Sequence, residues 1–227
     1  MKKIAPLVLG ACVYSSFASA TDNVDLNIKG VLTNAACVPS LSNGGVVDFG
    51  HIPLGSLNKG TTNQLGHRTI TLTITCDSAM PVGFITSDNR ADSLEVLSLV
   101  DAKGEGYPVS AQSDPGFEYG LGKTAAGVKL GAYTFSMSST PTADGEVKDL
   151  IFTKADKNGA WLLDGSGSAQ VSTRLHSMAD VGTLIPVAYK VGVYPIKVTA
   201  AIQGTDILGI TDDTDLDGLA TISLYYM

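Results

Sequence analysis

Near the C-terminus, Asp213, Asp215 and Asp217 alternate and are followed by Gly218. Carboxylates at the first, third and fifth positions, with Gly at the sixth, form the first half of an EF-hand-type calcium loop. The second half is missing. The place where a bidentate Glu completes the shell falls on Leu224. From Ala220 onward the residues alternate as in a strand, and no helical period flanks the motif. The cluster therefore reads as a solvated turn before a strand, with Asp213, Asp215 and Asp217 kept as a weak Ca²⁺ candidate. No other metal set suggests itself. His51, His67 and His176 are scattered and read as surface or turn residues, and no Cys has a C-x-x-C partner.

Catalytic constellations are equally scarce. There is no G-x-S-x-G, no H-E-x-x-H and no glycine-rich phosphate loop opening a helix. Tyr119-Gly120-Leu121-Gly122-Lys123 has the wrong spacing for a P-loop. The acidic residues are spread over turns, so no carboxylate pair for glycoside hydrolysis stands out. Trp161, in GAWLLDG, reads as a core side chain. The expectation is a protein without catalysis and without a cofactor. With 22 acidic against 15 basic residues, a formal net charge of −7 and no basic run, it is a poor nucleic-acid binder.

The elements that must position any site begin after a leader. Lys2-Lys3 is a short basic start, IAPLVLGACV is apolar, and Ala18-Ser19-Ala20 is a small-residue cleavage site. Residues 1–20 are therefore expected to be a signal peptide of an exported chain. A competing reading takes Leu9-Gly10-Ala11-Cys12 as a lipobox with an acylated Cys12. Cleavage after Ala20 leaves two cysteines, Cys37 and Cys76, and an even count in an exported chain predicts a disulfide. It closes a loop of about 40 residues, worth on the order of 4 kcal/mol in the chain-entropy model.

Alternation dominates the rest. HRTITLTITC sets Ile70, Leu72, Ile74 and Cys76 on one face and threonines on the other. PVGFITS, GAYTFSM, KDLIFTKA, AYKVGVYPIKVTAAI and ATISLYYM are further strand candidates, and Pro195 suggests an edge strand or a bulge. Gly-rich turns separate them at 42–45, 59–60, 102–107, 143–145, 157–159 and 164–168. Residues 91–99 hold at most a short helical turn. No linker divides the chain, so the expectation is one all-β domain, an immunoglobulin-like β-sandwich with one disulfide.

Two stretches carry a family resemblance. The first is NVDLNIKGVLTNAAC, residues 23–37, followed by VVDFGHIPLGSL, residues 46–57; the second is the terminal ATISLYYM. Together they resemble the pilin subunits of chaperone–usher fimbriae in Gram-negative bacteria, and within these a larger, poorly characterised branch. Those pilins have an alternating N-terminal extension, a KG-x-x-x-NA-x-C segment, a VDFG-like strand, and an alternating last strand with a penultimate aromatic, here Tyr226. The resemblance covers residues 21–80 and 218–227, about a third of the mature chain. It departs at the Gly usual fourteen residues from the end, where this chain has Thr214, and residues 90–210 have no counterpart.

What the resemblance implies is specific. A pilin is a sandwich missing its last strand, with a hydrophobic groove that a periplasmic chaperone fills first and the next subunit's extension fills later. Here residues 21–31 take the place of that donor extension, with Val24, Leu26 and Ile28 on one face, and residues 32–227 that of the pilin-like domain. Burying three such side chains contributes roughly 5–8 kcal/mol before ordering costs. Ala220, Ile222, Leu224 and Tyr226 share the corresponding face of the last strand, the one a chaperone grips. Read without the resemblance, residues 21–29 are equally the first strand of a complete sandwich, and ATISLYYM an ordinary sheet strand. The implied function is a minor or shaft subunit of a surface fimbria that contributes to cell adhesion. Its partners are a chaperone, an outer-membrane usher, neighbouring subunits and a host or surface receptor. The alternative is a self-contained secreted sandwich that binds a carbohydrate or another surface ligand; an exported hydrolase comes third.

Overall fold

The computed structural model describes residues 36–104, 113–156 and 158–227. The leader, Cys12 and the donor residues Val24, Leu26 and Ile28 lie outside the described residues. The strands are β1 (Cys37–Leu41), β2 (Asn63–Asp88), β3 (Tyr119–Gly120), β4 (Gly131–Met137), β5 (Thr142–Ala143), β6 (Glu146–Val147), β7 (Asp149–Lys154), β8 (Leu162–Leu163), β9 (Arg174–Ala179), β10 (Ala188–Ile202) and β11 (Ala220–Tyr226). A single helical turn, α1 (Thr205–Leu208), follows β10.

The strands make an antiparallel, all-β sandwich. The first sheet runs β3-β4-β10-β2-β1, with the β5–β6 hairpin attached to the start of β10; the second runs β11-β2-β9-β7-β8. Strand β2 belongs to both. HRTITLTITC and PVGFITS, predicted as separate strands, are one run of 26 residues. Beyond a register shift at Gly66 its buried positions keep one parity: Ile70, Leu72, Ile74 and Cys76 are buried in the first sheet, and Val82, Phe84 and Thr86 in the second. Side chains two apart share a face, so one alternation serves both sheets while the partners change. Close approach of β9 requires Gly83, because a Cβ there would lie 2.5 Å from the His176 carbonyl oxygen.

Cys37 and Cys76 sit opposite each other in the β1–β2 register and are joined by the predicted disulfide. Asp144 and Gly145 both have positive φ, the two-residue hairpin chemistry that joins β5 to β6. Pro195 lies on neither an edge strand nor a bulge, a correction to the sequence reading. It stands inside β10, in the gap between the positions paired with β5 (Gly192 and Val193) and those paired with β4 (from Ile196), where no neighbour asks for an N–H. Trp161 is half-buried beside the exposed Leu162 and Leu163, so it is not the core residue expected. Large aromatic side chains hold the interior instead: Phe84 meets Tyr194 edge-on at 5.0 Å, and Tyr119 packs on Phe135 at 4.9 Å.

Candidate functional site

Along β11 the pleat turns Ala220, Ile222 and Leu224 toward the first sheet and leaves Thr221 and Ser223 exposed. The strand is held on one side by β2, in register from Ala220 opposite Asp88 to Tyr226 opposite Val82. Among the described residues, β2 is its one strand neighbour. Ala220, Ile222 and Leu224 are therefore only half-buried, although their alternation is that of a core strand.

Ala220 and Ile222 face a groove of about 670 Å³. Its floor is the inner face of the first sheet: Ile70 from β2, Tyr133 and Phe135 from β4, Ile196 and Val198 from β10. Its opposite wall is the segment after β1, which carries Val47, Phe49, Ile52 and Leu57, all half-buried, and Leu54, exposed. This is the VVDFGHIPLGSL stretch. It forms no strand beyond β1; its only regular piece is a 3₁₀ turn at Leu54–Ser56. Arg68 props it from below, stacking on the Phe49 ring at 5.0 Å and donating to the Asp48 and Phe49 carbonyls.

The two ends of β11 differ. Where β11 ends, the Tyr226 hydroxyl accepts the Cys37 N–H at 3.0 Å and lies 3.4 Å from the Cys37 carbonyl. One phenol thus ties the last strand to the first at the disulfide. Where β11 begins, Asp212, Asp213 and Asp215 line the groove, with Asp48 and His51 on the other wall. The calcium candidate is divided here. Asp217 is engaged by a two-pronged fork from Arg90, at 2.9 and 3.1 Å, and its N–H donates to the Leu121 carbonyl. Asp213 and Asp215 are exposed on the rim. The turn passes over the Tyr133 ring, where only Gly218 fits, since a Cβ would lie 2.7 Å from the ring.

Of the predicted site residues, the structure brings Ala220 and Ile222 together on one groove wall; Leu224 packs on the core beyond it, and Tyr226 is a clasp at the end of β11. His176 is a correction. It is neither at the surface nor in a turn, but fully buried in β9, with Nε2 3.1 Å from Asp164 Oδ2. Asp164 Oδ1 also accepts the N–H groups of Ser166 and Gly167 and the Ser166 hydroxyl, and Arg174 lies 3.5 Å from Oδ2. Burial pushes the Asp164 carboxyl up, but His176, Ser166 and Arg174 together hold it below the usual aspartate range; burial holds His176 below the usual histidine range. The pair therefore sits as carboxylate and neutral imidazole. Both side chains are closed to solvent, and the pair fixes the Asp164–Gly167 turn against the core. The sequence held a signal for this: Asp-Gly-Ser-Gly is turn chemistry, and His176 alternates with Met178 on a buried face.

A second buried carboxyl also escaped the sequence. Glu118, just before β3, accepts the Leu97 N–H through Oε2 at 3.1 Å, while Oε1 has no partner among the described residues. Burial raises its pKa to about 7.

Comparison with known proteins adds a family. Residues 26–134 match the model described as "Protein of unknown function (DUF1120)". Protein GltF of Escherichia coli (strain K12) is 32% identical, over 96% of this chain and 94% of that protein. Uncharacterized protein YhcF of the same strain is 29% identical over the full length of both. Neither name states an enzymatic activity.

Proposed function

We propose that this chain, which belongs to the DUF1120 family and is similar to GltF and YhcF, is a structural subunit of a surface fimbria. On this reading it has no catalytic role. It is exported, held by a periplasmic chaperone, passed to an outer-membrane usher, and built into a fibre by donor-strand exchange.

The observation that carries the reading is the groove beside β11. Strand and floor have the residue types of a finished core, but Ala220, Ile222 and Leu224 stay half-buried for want of a neighbour among the described residues. Such a face is costly to leave in water and is a template for another strand. Strand addition supplies main-chain hydrogen bonds along the edge and puts alternate side chains into the groove. The sequence contains a segment of the right pattern, Val24, Leu26 and Ile28. Three apolar residues at alternate positions match Ala220, Ile222 and Leu224, each set spanning about 13 Å.

The test is strand complementation. The exported chain without residues 21–31 is mixed with a synthetic peptide of residues 21–32, a scrambled peptide, and a panel of fimbrial extensions. The expected result is a sequence-dependent rise in melting temperature. A chain that is already stable and ignores every donor is a complete sandwich, and ligand screening on carbohydrates becomes the next step.

A further inference from the structure

We propose that residues 94–104 form a strap across the outer face of the first sheet, fastened by a proton on the Glu118 carboxyl and released when that proton leaves. The strap lies on the face away from the groove and works independently of what fills the open side of β11.

The pleat that puts Tyr133 and Phe135 on the groove floor turns Ala132, Thr134 and Ser136 to the other face, with Ala201, Thr199 and Lys197 as their β10 partners. The strap covers that face. Leu99 and Ala102 close over Ala132 and Ala201 as a small second core. Polar groups tie the backbone down along its length. Lys129 Nζ donates to the Leu94 carbonyl at 2.9 Å, and the Gly104 N–H donates to the Ser166 carbonyl at 2.8 Å. Gln64 bridges the Ser98 carbonyl and the Val100 N–H at 2.7 and 3.0 Å. Asp101 meets Lys197 at 2.8 Å through one oxygen and His67 at 3.0 Å through the other, and its carbonyl accepts the Thr199 hydroxyl.

Between these ties the Leu97 N–H rests on Glu118. Glu118 is fully buried, and its Oε1 has no partner among the described residues. Beside it the outer face of β4 offers hydroxyls: Thr134, Ser136 and, across from Ser136, Ser168, all three buried and likewise without a partner among the described residues. The charge that bears on Glu118 is Asp114, of the same sign. The cations around the strap are engaged elsewhere. Lys197, with His67, serves Asp101; Lys129 serves the Leu94 carbonyl; Arg174 lies by Asp164 and the Ser168 carbonyl. Glu95 and Lys103 are the remaining charges of the strap. A carboxylate enclosed this way is costly, whereas a carboxylic acid is not.

The window follows from both carboxyls. Burial, then Asp114, raises Glu118 from 4.5 to about 7, so its fastening is complete below 4.5 and is lost as the pH rises through about 7. Lys197, then His67, holds Asp101 below its ordinary 3.8, so that tie is complete above 3.8 and is lost in stronger acid. The strap is tightest in mild acid and loosens toward neutrality. Its apolar hold is small, since Leu99 and Ala102 are the apolar side chains it buries fully, so one proton shifts the balance. Release uncovers Ala132, Thr134, Thr199 and Ala201.

Hydrogen exchange of the exported chain from Thr21, corrected for the intrinsic pH dependence of amide exchange, reads the strap. Residues 94–104 are expected to exchange ahead of residues 70–75 of β2, and their protection to fall about tenfold or more between pH 5 and pH 8. Glu118→Gln, which stays neutral, flattens that fall and keeps the strap protected at pH 8. Asp101→Asn lowers strap protection at both pH values and leaves the fall in place. A strap that exchanges only in step with β2 has no opening of its own, and this overturns the proposal. A fall that persists in Glu118→Gln places the proton elsewhere and overturns it as well.

Discussion

The second sheet has two flanks that begin from the same kind of sequence and end differently. On the β7–β9 flank, Leu150, Ile151, Leu175 and Met178 are fully buried. On the β11 flank, Ile222 and Leu224 alternate just as regularly and are only half-buried. Hydrophobicity does not separate them; neighbours do. Strand β9 lies between β2 and β7, whereas β11 has β2 alone among the described residues. Polar groups divide in the same way. Asp164 on the closed flank has all its acceptor sites engaged, and Asp213 and Asp215 on the open one face the groove mouth. An apolar strand with one strand neighbour among the described residues keeps part of its face in reach of water.

The largest effect tests that contrast directly. Leu150→Ala on the closed flank is expected to cost about 3–5 kcal/mol, the transfer loss plus an unrelaxed cavity. Leu224→Ala on the open flank is expected to cost about 1 kcal/mol, since less of the side chain leaves water on folding. Urea unfolding of the two variants gives both numbers. Equal costs would mean that β11 is as enclosed as β7, and the groove would lose its meaning.

The buried carboxyls sharpen the contrast through pH. Burial raises Glu118 to about 7, so the folded chain holds that proton more tightly than the unfolded one. Its contribution is complete below the unfolded value of 4.5 and is lost as the pH rises through about 7. The loss is of order 3 kcal/mol. Asp164 and His176 work in the other direction. Both are lowered in the folded state, so their contribution is present above the unfolded values of 3.8 and 6.5 and falls away in acid. Glu118→Gln is expected to match the parent near pH 5 and to exceed it at pH 8, by unfolding measurements at both. A parent that is no weaker than the variant at pH 8 would remove Glu118 as a buried acid.

Much of this was legible in the chain, for physical reasons. A period of two is imposed by the pleat, so HRTITLTITC and ATISLYYM announce their faces before any partner is known. Cys37 and Cys76 are the pair that an expected cleavage after Ala20 leaves, and the disulfide joins them. What stayed hidden depends on neighbours far along the chain. The joining of residues 67–76 and 81–87 into a single strand serving two sheets is a matter of who pairs with whom. Pro195 looked like an edge because the gap between β5 and β4 lies in space, not in sequence. His176 looked like a surface residue because its partner, Asp164, is fixed by a turn and not by a motif. The groove itself cannot be read from ATISLYYM, since a closed strand and an open one share that pattern.

The smallest effect concerns the clasp. Tyr226 joins the two flanking edges of β2 through one hydroxyl, which accepts the Cys37 N–H at 3.0 Å. Tyr226→Phe removes that acceptor and keeps the ring. The expected loss is about 1 kcal/mol, the net worth of one hydrogen bond. Tyr226→Ser removes the ring as well, and with it the apolar surface that a chaperone strand would cover. The two variants therefore separate a role inside the folded chain from a role in hand-over. If Tyr226 matters only as a clasp, both lower the midpoint of unfolding and neither changes periplasmic yield with a chaperone present. If the last strand is gripped during export, Tyr226→Ser lowers that yield while Tyr226→Phe does not. The donor-strand reading expects the second pattern. Unchanged yield for Tyr226→Ser would separate this chain's folding from any chaperone, and the open flank would then need another occupant.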